Sequence, residues 1–184
     1  NEKRTSDLYA EIHALEAAEH FDLRKTQILT ANHLGAPDDF LDGKTSLDAG
    51  VGGKGRALYG LYKLGCRKLT AIDISSVNIE NARKANIDIS EFVRFKTMNI
   101  LDMNFSAETF YFVHCDGVIH HTRAPLKAME RLYRCTQNGG WIYLGLYGKG
   151  GLLYLIGAVI RKLAIVIPYK ISFHLLGFIL GKTA

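Results

Sequence analysis

The sequence predicts an α/β fold, a three-layer αβα sandwich built on a mostly parallel sheet. Three observations carry that prediction. Five short apolar runs recur between residues 45 and 148, helical patterns separate them, and a glycine-rich turn joins the first run to the first helix. Strand and helix alternating at this rhythm require crossover connections, which set neighbouring strands parallel and cover both faces of the sheet. The chain has 184 residues, 48% hydrophobic and 22% charged, enough for a core and ordinary for a globular protein.

The elements follow in order. Residues 5–34 read as helical, and Gly35-Ala36-Pro37 stops the run. Strands are expected at residues 46–49, 69–72, 92–95, 110–115 and 141–146, where apolar and β-branched residues cluster. The first intervening helix places Leu58, Leu61, Tyr62 and Leu64 on one face, and the second covers residues 77–86. The third sets Leu126, Met129, Leu132 and Tyr133 at helical spacing, with Pro125 in the first turn. Beyond the fifth strand, Leu152, Leu155, Ile156, Val159, Ile160, Leu163, Val166 and Ile167 form a wide apolar stripe that Pro168 ends. Arg161 and Lys162 interrupt it well short of the roughly 20 apolar residues that a membrane span needs. A docked helix is therefore expected there, not a span. This gives an N-terminal helical cap at 1–44, a central domain at 45–148 and an apolar, basic helical segment at 149–184. The chain opens on Asn1, and nothing after Gly148 reads as a further strand pair. It is expected to be truncated after the fifth strand.

Charge and cysteine usage narrow the function classes. The net charge is +5, yet the last acidic residue is Glu130, and Lys149, Arg161, Lys162, Lys170 and Lys182 follow it without an acid. These cations sit singly or as one pair among Leu, Ile and Val. A nucleic-acid groove spreads its cations among polar and aromatic residues, so no nucleic-acid partner is expected. The pattern favours peripheral membrane contact through residues 151–181. Cys66, Cys115 and Cys135 are widely spaced and lie in no metal-ligand pattern. They indicate a reduced, cytoplasmic chain without a structural metal.

The chemistry concentrates in Asp48-Ala49-Gly50-Val51-Gly52-Gly53-Lys54-Gly55, between a strand and a helix. Glycines there permit a tight turn and let backbone N–H groups approach a ligand, while the helix N-terminus favours negative charge. Asp73 ends the next strand, 25 residues after Asp48. An acid about 20 residues beyond the loop can accept hydrogen bonds from both hydroxyls of a ribose. Its ordinary alternative role is to cap the helix that starts near Ser76.

The segment Asp48–Gly55 resembles the first motif of the class I S-adenosylmethionine-dependent methyltransferases, a Rossmann-like family. Leu69–Ser75 with Asn78–Arg83 is similar to the second motif, and Val93–Asp102 to the third. Cys115-Asp116-Gly117-Val118-Ile119-His120-His121-Thr122 resembles the family's segment after the fourth strand, and Asn138–Trp141 the turn before the fifth. The resemblance covers residues 45–148 and implies a methyl transfer from S-adenosyl-L-methionine to a small-molecule acceptor, with the apolar tail hinting at a lipophilic one. It implies that Asp48 accepts from the ammonium of the methionine moiety, and that Gly50 and Gly52 let the backbone approach. Asp73 would take the ribose hydroxyls and Ile74 pack on adenine. Asn99 would face the adenine amino group, with Ile100 adding backbone contact. Asp116 and the residues up to His121 would border the transferable methyl, with His120 or His121 as candidate base.

Three positions depart from the family pattern: Lys54 in the third glycine slot, Asn99 for the commoner acid, and Tyr111 at the start of strand four. His13, His20, His33, His114 and His174 show no setting comparable to the His120-His121 pair. Two other readings fit less well: an NAD-type oxidoreductase, and a non-catalytic membrane-associated protein retaining a degenerate form of the fold.

Overall fold

The computed structural model describes residues 29–146, within the first of two units into which the chain divides, Asn1–Leu146 and Tyr147–Ala184. The helices expected over residues 5–28 and 151–181, and the membrane contact read from the latter, lie outside the described residues. Five strands form one sheet: β1 (Thr45–Ala49), β2 (Lys68–Asp73), β3 (Val93–Thr97), β4 (Phe110–Asp116) and β5 (Thr136–Gly145). Their order is β3-β2-β1-β4-β5 and every pairing is parallel. This is the expected Rossmann-like αβα sandwich. All strand ends therefore point one way, and the loops that follow β1, β2, β3 and β4 gather at a single edge.

Alternation along each strand divides the core in two. Leu69, Ala71 and Phe112 face helix α2 (Arg56–Lys63) and helix α3 (Ser76–Ala85), packing on Leu58, Leu61, Ile79 and Ala82. Leu47, Ile72, Val113 and Cys115 face the other way, onto helix α4 (Pro125–Cys135) through Ala128, Leu132 and Cys135. The short α1 (Ala31–Leu34) ends at Gly35, whose φ of 63° is the left-handed stop expected there. Pro125 stands in the first turn of α4 as expected.

Two expectations are corrected. The α4 face toward the sheet is Ala128, Leu132 and Cys135, whereas Leu126 and Tyr133 are 80% and 75% exposed. Small residues let the helix lie close on the strands, so the contact face is not the most apolar one. Asn138-Gly139-Gly140 is not a turn before β5 but an irregularity within it. Phe110 pairs with Thr136 and Phe112 with Trp141, so β5 holds three extra residues against β4, and Gly139 takes φ 74° there. The observed β3 also runs two residues beyond its expected end, to Thr97.

Candidate active site

The loop after β1 is shaped by its glycines. Gly50, Gly52 and Gly55 adopt φ of 89°, 63° and 54°, a region that disfavours side chains. Gly55 is the N-cap of α2, one residue beyond Lys54, which stands in the usual third glycine slot. Gly50 and Val51 donate their N–H groups to the Ile72 carbonyl at 2.8 and 3.0 Å, fastening the loop to β2. The Lys54 carbonyl accepts from the fully buried Asn86 amide at 3.1 Å, fastening it to the end of α3. A Cβ added to Gly50 would overlap a methyl of Val118, so the loop also lies directly against the turn after β4.

Asp73 joins two of these pieces. Its Oδ2 accepts from the Gly52 N–H at 3.0 Å. Its Oδ1 accepts from the Ser75 N–H at 2.9 Å and the Asn78 amide at 3.2 Å. The helix cap falls to Ser75, whose hydroxyl accepts from Asn78 N–H, so Asp73 is not the cap. The glycine loop and the β2 carboxylate thus share one edge. Ile74, next along, keeps 37% exposure.

The third and fourth loops reach the same edge. Met98 donates its N–H to the Asp73 carbonyl at 2.8 Å, bringing Asn99 and the buried Ile100 beside β2. The Asn99 side-chain Oδ1 accepts from Leu101 N–H at 3.0 Å, and its Nδ2 donates to Asp102 Oδ2 at 3.1 Å. Asp102, exposed beside it, is a carboxylate that sequence reasoning did not single out for the site. Asp116 ends β4 exposed, against Gly145. Ile119–His121 forms a single 3-10 turn in which the His120 and His121 rings lie 4.2 Å apart. Partial burial, then the neighbouring His120, lowers the pKa of His121, which favours the neutral, proton-accepting imidazole.

Asp48 is buried, at 3% exposure, and its Oδ1 lies 2.8 Å from Nδ1 of His114. His114, which has no setting in the sequence comparable to the His120-His121 pair, is paired by the structure with Asp48 across β1 and β4. Alternation alone puts Asp48 and His114 on a common face once β1 and β4 are neighbours, but the strand order is needed to see it. Tyr111 is structural: half-buried, it packs on the α2–α3 side of the core with the Lys44 ammonium 4.9 Å from its ring centroid. A groove of about 640 Å³ lined by Thr45, Lys68, Phe92, Arg94 and Phe110 opens near the amino ends of the strands, away from the glycine loop.

The residues present fit an adenosyl cofactor. Each Asp73 oxygen has two acceptor positions, so Oδ2, engaged by one N–H, can still take a hydroxyl. Ile74 offers an apolar surface beside it, and a Cβ on Gly117 would meet nothing within 4 Å, so the turn after β4 is open. In open α/β sheets ligands bind at the carboxyl ends of the strands, where the order reverses, and here that point lies between β1 and β4.

Known proteins agree with this arrangement. The family model described as a methyltransferase domain matches residues 47–144. Phosphoethanolamine N-methyltransferase 2 of Caenorhabditis elegans is 29% identical over 113 residues, 61% of this chain and 26% of that protein. The chain thus spans about a quarter of that relative's length. Among solved structures, a candidate S-adenosyl-L-methionine-dependent methyltransferase from Methanococcus maripaludis superposes with a TM-score of 0.62 at 18% identity, covering 85% of this chain and 71% of that one. An S-adenosylmethionine-dependent methyltransferase from Mesorhizobium loti gives 0.53 at 16% identity, with 62% and 50% covered. The [4+2]-cyclase SpnF gives 0.53 at 19%, with 77% and 43% covered, so likeness of fold alone leaves the reaction open. The family match extends over more than half of the 184 residues and takes in the glycine loop, Asp73 and the β4 turn. The chain belongs to the methyltransferase-domain family of S-adenosylmethionine-dependent enzymes.

Proposed function

We propose that this chain binds S-adenosyl-L-methionine at the carboxyl edge of the sheet and serves methyl transfer to a small, lipophilic acceptor. The observation that carries the cofactor half is the Gly52 N–H to Asp73 hydrogen bond, which joins the two family motifs at one edge. Bound there, the cofactor supplies an electrophilic methyl on a sulfonium. The protein supplies alignment and electrostatics. Asp73 takes a ribose hydroxyl on Oδ2, and Ile74 packs on the adenine. Asn99 accepts from the adenine amino group on its side-chain Oδ1, which takes the Leu101 N–H and has a second acceptor position, with backbone contact from Ile100. Gly50 and Gly52 keep the loop free of side chains, and Asp48 faces the ammonium. Asp116 borders the acceptor's approach, and one of His120 and His121 accepts the acceptor's proton; the depressed pKa of His121 suits that role.

One observation supports a small acceptor and a second supports its lipophilic character. The relative from C. elegans carries phosphoethanolamine in its name. Residues 151–181 are apolar and basic, a composition suited to a membrane surface or a lipophilic molecule. Incubating the chain with methyl-tritiated S-adenosylmethionine and a lipid extract, then partitioning between organic solvent and water, tests this. The proposal expects label in the organic phase; label only in water-soluble products would refute the lipophilic acceptor.

A further inference from the structure

We infer that His114 is a positioning residue: it holds the Asp48 carboxylate so that one oxygen faces the amino-acid end of the cofactor. The inference rests on the cofactor reading above. Ala71, Asp48, His114 and Tyr143 are register partners across β2, β1, β4 and β5, so they form one row on one face of the sheet. Within it, the side chains of Asp48 and His114 keep only 4% and 10% of their accessible surface. A carboxylate so buried needs hydrogen-bond donors. His114 Nδ1 stands 2.8 Å from Asp48 Oδ1, and the inference takes the tautomer in which that nitrogen donates to the oxygen.

The imidazole is itself held. The Tyr143 ring stacks on it at 5.1 Å between centroids and 12° between planes. His114 therefore cannot swing away from Asp48 without breaking a stack inside the sheet face. With Oδ1 held by the imidazole, Oδ2 keeps both of its acceptor positions for an ammonium. Asp48 lies two residues before Gly50, whose N–H anchors the loop to β2, so the carboxylate is fixed at the root of the cofactor loop. On the cofactor reading, His114, and not the loop, is thus responsible for the aim of Asp48.

The test compares two ligands and two variants of the full chain. S-adenosylhomocysteine carries the ammonium; 5′-methylthioadenosine shares the adenosine but lacks the amino acid. His114→Asn places an amide N–H near Nδ1, and His114→Gln places one near Nε2. Calorimetry on wild type and both variants gives the affinity ratio of the two ligands. The inference expects Asn to keep the wild-type ratio within about threefold, and Gln to lower it about tenfold or more, the effect of a hydrogen bond to a charged group. An unchanged ratio in the Gln variant, an equal fall in both variants, a parallel loss of both ligands, or failure of either variant to fold would overturn it. Binding of neither ligand by the wild type would instead overturn the cofactor reading.

Discussion

Replacing Gly50 by Ala tests how the loop after β1 is held, and the structure sets the size of the effect. Two costs arise. The φ of 89° at Gly50 penalises any Cβ, by about 1–2 kcal/mol. The added methyl also overlaps the Val118 side chain, and such overpacking costs about 1–3 kcal/mol. Gly50→Ala should therefore destabilise the fold by about 2–5 kcal/mol, a large share of the 5–15 kcal/mol that is typical of domains. Val118→Ala removes both offending methyls and keeps only its Cβ, at 3.1 Å, so the double variant retains the backbone term and a small residual contact. Urea denaturation followed by far-UV circular dichroism on the four proteins of the cycle should give a coupling energy of about 1–3 kcal/mol, favourable for the pair. A coupling below about 0.5 kcal/mol would show that the loop after β1 does not rest on the turn after β4.

Two further perturbations probe the same edge and the core. Asn86→Ala should cost about 1–3 kcal/mol, because it leaves the Lys54 carbonyl without its buried amide donor; an unchanged denaturation midpoint would refute that anchor. Burial pushes the Cys115 thiol up to about 12, with Asp48 and Asp116 adding to the effect, and the Cys135 thiol up to about 11. Folding thus disfavours both thiolates, so this stability is fully present below pH 9 and is lost as pH rises from the ordinary thiol value of 9.0 through 11–12. Native protein should accordingly react with a thiolate-selective reagent at pH 8 far more slowly than urea-unfolded protein, and equal rates would contradict the burial.

The parts of the fold legible in the sequence were those set by local chemistry. Apolar runs such as Phe110–Cys115 have one stable use, as buried strands, and Gly35 and Pro125 mark helix ends through backbone constraints that hold anywhere. Asp73 was legible because a strand end, a glycine loop and an acid at a fixed offset are all local. What needed the structure was pairing between distant segments. Asp48 and His114 are 66 residues apart, and their contact exists only because β4 lies beside β1. The α4 face misled because Leu126, Met129 and Tyr133 look like core, while closeness to the sheet selects Ala128 and Cys135. Gly139 looked like a turn because glycine serves turns and strand irregularities equally well.

The claim that a glycine bend and the β2 carboxylate together cradle an adenosyl group is tested most directly by calorimetry. S-adenosylmethionine, S-adenosylhomocysteine and NAD are titrated into the wild type and into Asp73→Ala. The structure predicts that the first two bind the wild type, that NAD does not, and that the substitution weakens binding by about 1.5–3 kcal/mol through lost charge-assisted hydrogen bonds. Tight NAD binding, or S-adenosylhomocysteine held equally well without the Asp73 carboxylate, would contradict it.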